Sequence, residues 1–395
     1  MIKPSKFIEA DYLFIFLDYL RCAWDEDYRL VHRERLRRVL ERTRKEGVNK
    51  INPFAYLSSG DDITHFHLNP KTPWRWKVED GKRIWDLQKW QRRYWFLFRD
   101  FNKLCAECGI YPQWQVTEWG YGFAPFESNE QGIKSFWDKK ALRYQRRFVL
   151  KLLRITKRII NRKFDPNWIP RWTPMNEPRN PWLHATSVEG MRKRHEFAHV
   201  LAEWHRDIFK SVEKKGLSDI SHLMLDCTLA ERPVAHLVTW MSSEKVCPFV
   251  DPVTKIPCGK VWDNWNNKEY GRKLRVVVHQ KSIVDDVPQE AGTFLRSWGH
   301  KKTSEDGSSN KKCKGPRFLG TNYRVGNPKQ VYEFCKHVFT MAKSINAEWY
   351  HGLFPMETSE KTPDERGLQQ AYTVEKIHWH RFKEAIRAEK DVYGE

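Results

Sequence analysis

Residues 135–175 read SFWDKKALRYQRRFVLKLLRITKRIINRKFDPNWIPRWTPM. A long amphipathic stretch ends near Ile160, and a short apolar one, NWIPRWTPM, follows it. The first has helical patterning and the second the length of a buried strand. The same alternation runs outward in both directions. Upstream lie the strand candidates Tyr12–Leu17, VNKINPFAYL (48–57) and IYPQWQV (110–116). Downstream lie SHLMLDCTL (221–229), KLRVVVHQ (273–280), PRFLGTNY (316–323) and AEWYHGLF (347–354). A helix is expected from about Asp25, with Leu30, Val31, Leu36, Val39 and Leu40 as its apolar stripe and Gly47 as its stop. Asp86 is expected to cap a helix through DLQKWQRRYWFLFRDFNKLCAECG, ending at Gly109. Further helices are expected over 135–160, 187–216, 328–345 and from about Pro363 to Glu389, with short ones near 234–241 and 289–298.

Each of the eight strand candidates is followed by a helix, which implies a parallel sheet. The expected architecture is a single α/β domain over residues 1–395, a (β/α)8 TIM barrel. An insertion over 242–272 falls between strands five and six, and residues 299–314 read as a mobile loop. In such a barrel the active site lies at the C-terminal ends of the strands.

The chain has 395 residues and a formal net charge of +20. Its 14% aromatic content excludes disorder as the main state. No apolar run approaches the ~20 residues that span a bilayer, so no membrane partner is expected. The N-terminus imitates a signal peptide, but Glu9 and Asp11 precede the apolar run and no A-x-A site follows. A cytoplasmic location, or release by a route without a signal peptide, is the expectation. The eight cysteines are read as reduced. The basic surplus is concentrated in patterns such as RRFVLKLLRITKRIINRK (146–163), read as a solvated helix face. A basic cleft would favour an acidic polysaccharide over a neutral one; nucleic acid is the weaker reading.

The sharpest motif is Trp172-Thr173-Pro174-Met175-Asn176-Glu177-Pro178, at the end of the fourth strand candidate. Here the chain resembles the large clan of retaining (β/α)8 glycoside hydrolases that includes cellulases and mannanases. The resemblance implies that Glu177 is the general acid/base and that Asn176 holds the sugar 2-hydroxyl. It implies a carbohydrate substrate and no cofactor or metal. It also places a nucleophilic Glu at the end of strand seven, where Phe318–Tyr323 contains no acid. The second carboxylate that glycoside hydrolysis needs therefore has other candidates: Glu118, Asp226 and Glu357, with Asp285 and Asp286 behind them. His279, Asn322, Trp349 and Tyr350 fit substrate-contacting positions of the clan. Trp119, near the end of strand three, is a further aromatic candidate for a sugar face.

Two readings from other classes stand beside this one. A barrel that has lost its nucleophile would bind glycans without cutting them. His195-Glu196-Phe197-Ala198-His199 is an H-E-x-x-H string, and with His205 it resembles the metzincin zinc proteases. Ala202 stands where that string needs a helix-breaking Gly, so an unbroken helix would carry His205 about 15 Å beyond His195. A packed or solvated helix face fits better. Cys105-x-x-Cys108 lies at a helix C-terminus, the wrong end to stabilise a thiolate. Cys247 and Cys258 bracket a short loop that supplies only two of the four ligands a zinc site needs.

Overall fold

The computed structural model describes residues 4–5, 8–10, 12, 14–56, 72–116, 139–160, 171–173, 187, 189, 193, 204, 207–208, 210–217, 222–227, 274–278, 328–344, 350–353 and 377–394. In chain order the elements are β1 (Ile8–Ala10), α1 (Ile15–Cys22), α2 (Glu26–Lys45), β2 (Lys50–Ile51), β3 (Trp74–Glu79), β4 (Lys82–Trp90), α3 (Arg92–Glu107), β5 (Tyr111–Pro112) and β6 (Trp114–Gln115). There follow α4 (Lys139–Ile160), β7 (Arg171–Thr173), β8 (His222–Cys227), β9 (Leu274–Val278), α5 (Pro328–Ser344), β10 (Tyr350–Leu353) and α6 (Trp379–Tyr393). Residues 210–214 are also helical, and Gly216 at φ +61° closes that turn.

Two parallel sheets carry the order β10-β1-β2-β5 and β6-β7-β8-β9. β5 and β6 are one strand interrupted at Gln113, and a parallel bridge joins Phe54, just past β2, to Gln115. Apart from the antiparallel β3–β4 pair, the described strands thus run in one direction and in chain order, except that the last lies beside the first. Ile8 pairs with Tyr350, Ala10 with Ile51, Ile51 with Pro112, Trp114 with Trp172, and Leu223 with Leu274. Cα atoms of β9 and β10 come within 8 Å of one another. Parallel neighbours demand crossovers; α1 and α2 lie between β1 and β2, α3 between β2 and β5, and α4 between β6 and β7. Strand candidates two to six and eight occur in this order; the first, Tyr12–Leu17, does not form a strand, β1 lying just before it, and the seventh, 316–323, lies outside the described residues. So do the 242–272 insertion, the 299–314 loop and the short helices near 234–241 and 289–298.

The structure corrects several boundaries. The first strand is Ile8–Ala10, and most of the apolar run Tyr12–Leu17 enters α1 instead. There Phe16 packs edge-on against Phe98 and Trp114, at 5.6 Å and 5.4 Å between ring centroids. α2 starts where expected, with the Asp25 carboxylate accepting a hydrogen bond from the Asp27 N–H. Its buried side carries His32, Leu36, Val39, Leu40 and Thr43, whereas Leu30 and Val31 are 65% and 53% exposed. The buried set keeps a helical period that those two residues break. Asp86 does not cap α3. It lies in β4 of an antiparallel hairpin, and Gln91 precedes the helix. The hairpin turns at Asp80-Gly81, with φ of +51° and +72°, the left-handed pair that a two-residue turn requires. α6 begins at Trp379, with His378 before it outside helical geometry (ψ 77°); residues 363–376 of the expected final helix lie outside the described residues.

Candidate active site at the strand ends

Strand alternation assigns two faces. Trp114 packs on α3 and α1, with its ring 4.6 Å from Phe98, 5.6 Å from Phe101 and 5.4 Å from Phe16. Its indole N–H donates to Asn102 Oδ1 at 3.3 Å. That face of the sheet looks toward the helices. Gln113 and Gln115 therefore look the other way. By register so do Lys50 and Asn52 on β2 and its extension, and Glu9 on β1. All five are at most 2% exposed. Burying polar groups at this density is costly unless they are hydrogen-bonded. Glu9 and Lys50 each sit one position before the Ala10–Ile51 pair, so opposite charges stand level on adjacent strands. Gln115 lies at the C-terminal end of β6, and its Oε1 has no hydrogen-bond partner among the described residues.

Sequence reading missed this polar inner face. The signal was present as polar residues at every second position, Lys50-Ile51-Asn52 and Gln113-Trp114-Gln115. An apolar-run criterion passes over such strands.

Of the residues expected at the site, Asp226 and Tyr350 lie in described strands. Asp226 is the penultimate residue of β8, with its backbone beside Val277 of β9. It has the same strand parity as Thr173, the last residue of β7, and as Gln115. Tyr350 opens β10 beside Ile8, three positions before that strand's C-terminal Leu353. Glu118, Trp119, Asn176, Glu177, Asp285, Asp286, His279, Asn322, Trp349 and Glu357 lie outside the described residues. Along the chain, Glu118 is three positions past β6, Glu177 four past β7, His279 the first past β9, and Glu357 four past β10. Because the strands are parallel, these segments all leave from the same end of the sheet.

The other motifs stand as follows. The His195–His205 string, Cys247 and Cys258 lie outside the described residues. Cys105 and Cys108 sit at the end of α3, as expected. Burial, and then the neighbouring Glu41, push the Cys108 thiol up to about 12. Burial likewise holds Cys105 well above the usual thiol range. Both shifts run against the thiolate that redox chemistry uses. Among the described residues no His/Cys/Asp/Glu cluster fits a metal ion, and no helix is long and apolar enough to cross a membrane.

No family model matches the chain, and no curated protein matches it. Among solved structures it is similar to a GH5-4 broad specificity endoglucanase from an uncultured bacterium, with a TM-score of 0.44 and 10% identity over 88% of this chain and 84% of that one. It is also similar to the exo-beta-1,4-mannosidase Op5Man5 from Opitutaceae bacterium strain TAV5, with a TM-score of 0.40 and 10% identity over 99% and 63%. A third is PbGH5A, a glycoside hydrolase family 5 enzyme from Prevotella bryantii B14, with a TM-score of 0.38 and 10% identity over 85% and 86%.

Proposed function

We propose that the chain is a (β/α)8 glycoside hydrolase, cutting O-glycosidic bonds in a poly- or oligosaccharide with Glu177 as general acid/base. One observation carries the reading. Asn176 and Glu177 stand three and four positions past the end of β7, the fourth strand of a parallel order whose last described strand pairs with its first. In a closed sheet of this order, carboxylates just past strand ends face the common mouth where chemistry is done.

In the proposed mechanism Glu177 protonates the leaving oxygen. Asn176 fixes the sugar beside it, with His279, Asn322 and the aromatic rings of Trp349, Tyr350 and Trp119 as further contacts. A second carboxylate either attacks the anomeric carbon or activates water. Asp226 takes first place for that role, because β8 is the immediate neighbour of β7 and Asp226 shares the parity of Thr173. Glu118 and Glu357 follow it.

The test is hydrolysis of a panel of soluble glucans and mannans by the wild-type chain and by Glu177→Gln. The expected loss is 10²- to 10⁴-fold, the usual contribution of a general acid, with the thermal unfolding midpoint unchanged. Full activity in Glu177→Gln overturns the reading. The absence of an acid from Phe318–Tyr323 favours one second reading, a glycan binder without turnover. That reading requires wild-type binding to the panel, retention of that binding in Glu177→Gln, and no product from either protein.

A further inference from the structure

Helix α4 contains no Asp or Glu. Its Arg143, Arg147, Lys151, Arg154 and Arg158 follow at steps of four, four, three and four residues. At ~100° and ~1.5 Å per residue they form a ridge about 22 Å long within an arc of about 80°. Arg143, Arg154 and Arg158 are exposed, and Arg147 and Lys151 half-buried. Lys151 Nζ lies 4.4 Å and 4.5 Å from the Trp90 and Trp95 ring centroids. The Arg147 guanidinium lies 5.4 Å from Trp90 and 5.6 Å from Tyr144. Exposed Arg99 of the neighbouring α3 adds its field: burial first, then Arg147 and Arg99, hold the Lys151 ammonium down to about 8. Among the described residues, none of these six cations has a carboxylate within 4 Å.

Several other cations on α4 and around α3 are paired. On an adjoining side of α4, Arg146 binds both Asp207 oxygens at 2.8 Å and 2.9 Å, and Lys157 donates to the Gly216 carbonyl at 2.9 Å. On α3, Asp100 and Glu107 accept from Arg29, Arg33 and Arg37. Like charges one turn apart oppose helix formation. An unpaired row of them, held over aromatic rings, fits a surface whose counter-charge arrives with a ligand.

We propose that the α4 ridge, with Arg99, binds a linear polyanion, an acidic polysaccharide bearing carboxylate or sulfate groups. The surface lies on the helix layer, apart from the strand ends, and the proposal does not rest on the hydrolase reading. One feature favours a polysaccharide over nucleic acid. Single-stranded bases need open aromatic faces, but Lys151 covers Trp90 and Trp95, and Trp90 also stacks on Trp74 at 6.1 Å.

Binding of fluorescent polygalacturonate, dextran sulfate and neutral dextran at 50 mM and 200 mM NaCl tests it. The wild-type chain is expected to hold at least one of the two polyanions, weakly at the higher salt, and to ignore neutral dextran. Which of the two it prefers separates carboxylate from sulfate. Arg143→Gln/Arg147→Gln/Arg154→Gln should weaken that binding at least tenfold at 50 mM and flatten its salt dependence. The matching Arg→Lys triple should keep it, as should Glu177→Gln. The control Arg35→Gln/Arg38→Gln/Lys45→Gln removes three exposed cations of α2 and should change affinity less than twofold. Circular dichroism checks that every variant is folded. Equal losses in both glutamine triples, or no loss in the ridge triple, overturn the proposal. A 20-mer oligonucleotide bound more tightly than either polyanion, and lost in the ridge triple, reassigns the ridge to nucleic acid and equally overturns it.

Discussion

Lys151 brings opposing terms to one atom. Two indole faces attract its charge, while burial and the fields of Arg147 and Arg99 oppose it. Its folded pKa of about 8 lies below the unfolded value near 10.5. Between those values the unfolded chain binds more protons, so stability rises with pH across that window. The charged lysine costs stability below pH 8, and the cost fades as pH climbs toward 10.5. Arg99→Gln should move the Lys151 midpoint upward, as read by NMR titration of the lysine side chain. A midpoint that stays put would assign the shift to burial and Arg147 alone. Legibility at this scale was uneven. Leu97, Phe101 and Leu104, which recur at helical spacing in the sequence, are buried on α3. Gln113 and Gln115 were invisible, because nothing in one strand says which of its faces meets the helices.

Helix ends give the clearest contrast between elements. Asp25 and Asp86 looked alike in the sequence, each an acid ahead of a helical pattern. Asp25 caps α2, whereas Asp86 lies in a strand and accepts from the Gln88 N–H at 3.2 Å. Asp25→Ala should cost about 1 kcal/mol, the ordinary loss of an N-cap. Asp86 is 13% exposed and pairs with Lys89 at 3.2 Å; in thermal unfolding Asp86→Ala should cost a few tenths of a kcal/mol for that pair and leave the first turn of α3 intact. Loss of amide protection in that turn in Asp86→Ala would contradict the assignment. The hairpin was legible after all, in Asp80-Gly81 between Glu79 and Lys82. The helical spacing of Trp90, Tyr94, Leu97 and Phe101 obscured it, because Trp90 fits both the end of β4 and the stripe of α3. α1 was lost for a different reason: an apolar run of six residues does not distinguish strand from helix.

For the whole molecule, the alternation of strand and helix was readable and the pairing was not. Period and length announce a strand, but only a second strand defines its partner. The seam between β1 and β10 shows this most sharply, with Ile8 beside Tyr350. The same end of the molecule is stitched again by a hydrogen bond from Ser5 to Glu389 of α6, and by Arg42 of α2 lying 5.4 Å from the Trp379 ring. These contacts join the most distant parts of the chain, and such contacts form slowly because loop closure precedes any gain from them. In pulse-labelled refolding, the amides of β1 and β10 should gain protection in the slowest phase, after those of α3 and α4. Simultaneous protection would show that the seam does not limit folding. On the ribosome the consequence is a matter of timing. β1 emerges before the strands it pairs with and must wait for β10 until the strands between them have been made. Meanwhile it keeps an open backbone edge that other chains can pair with. Yield in the cell should therefore depend on how long that wait lasts and on what shields the edge during it.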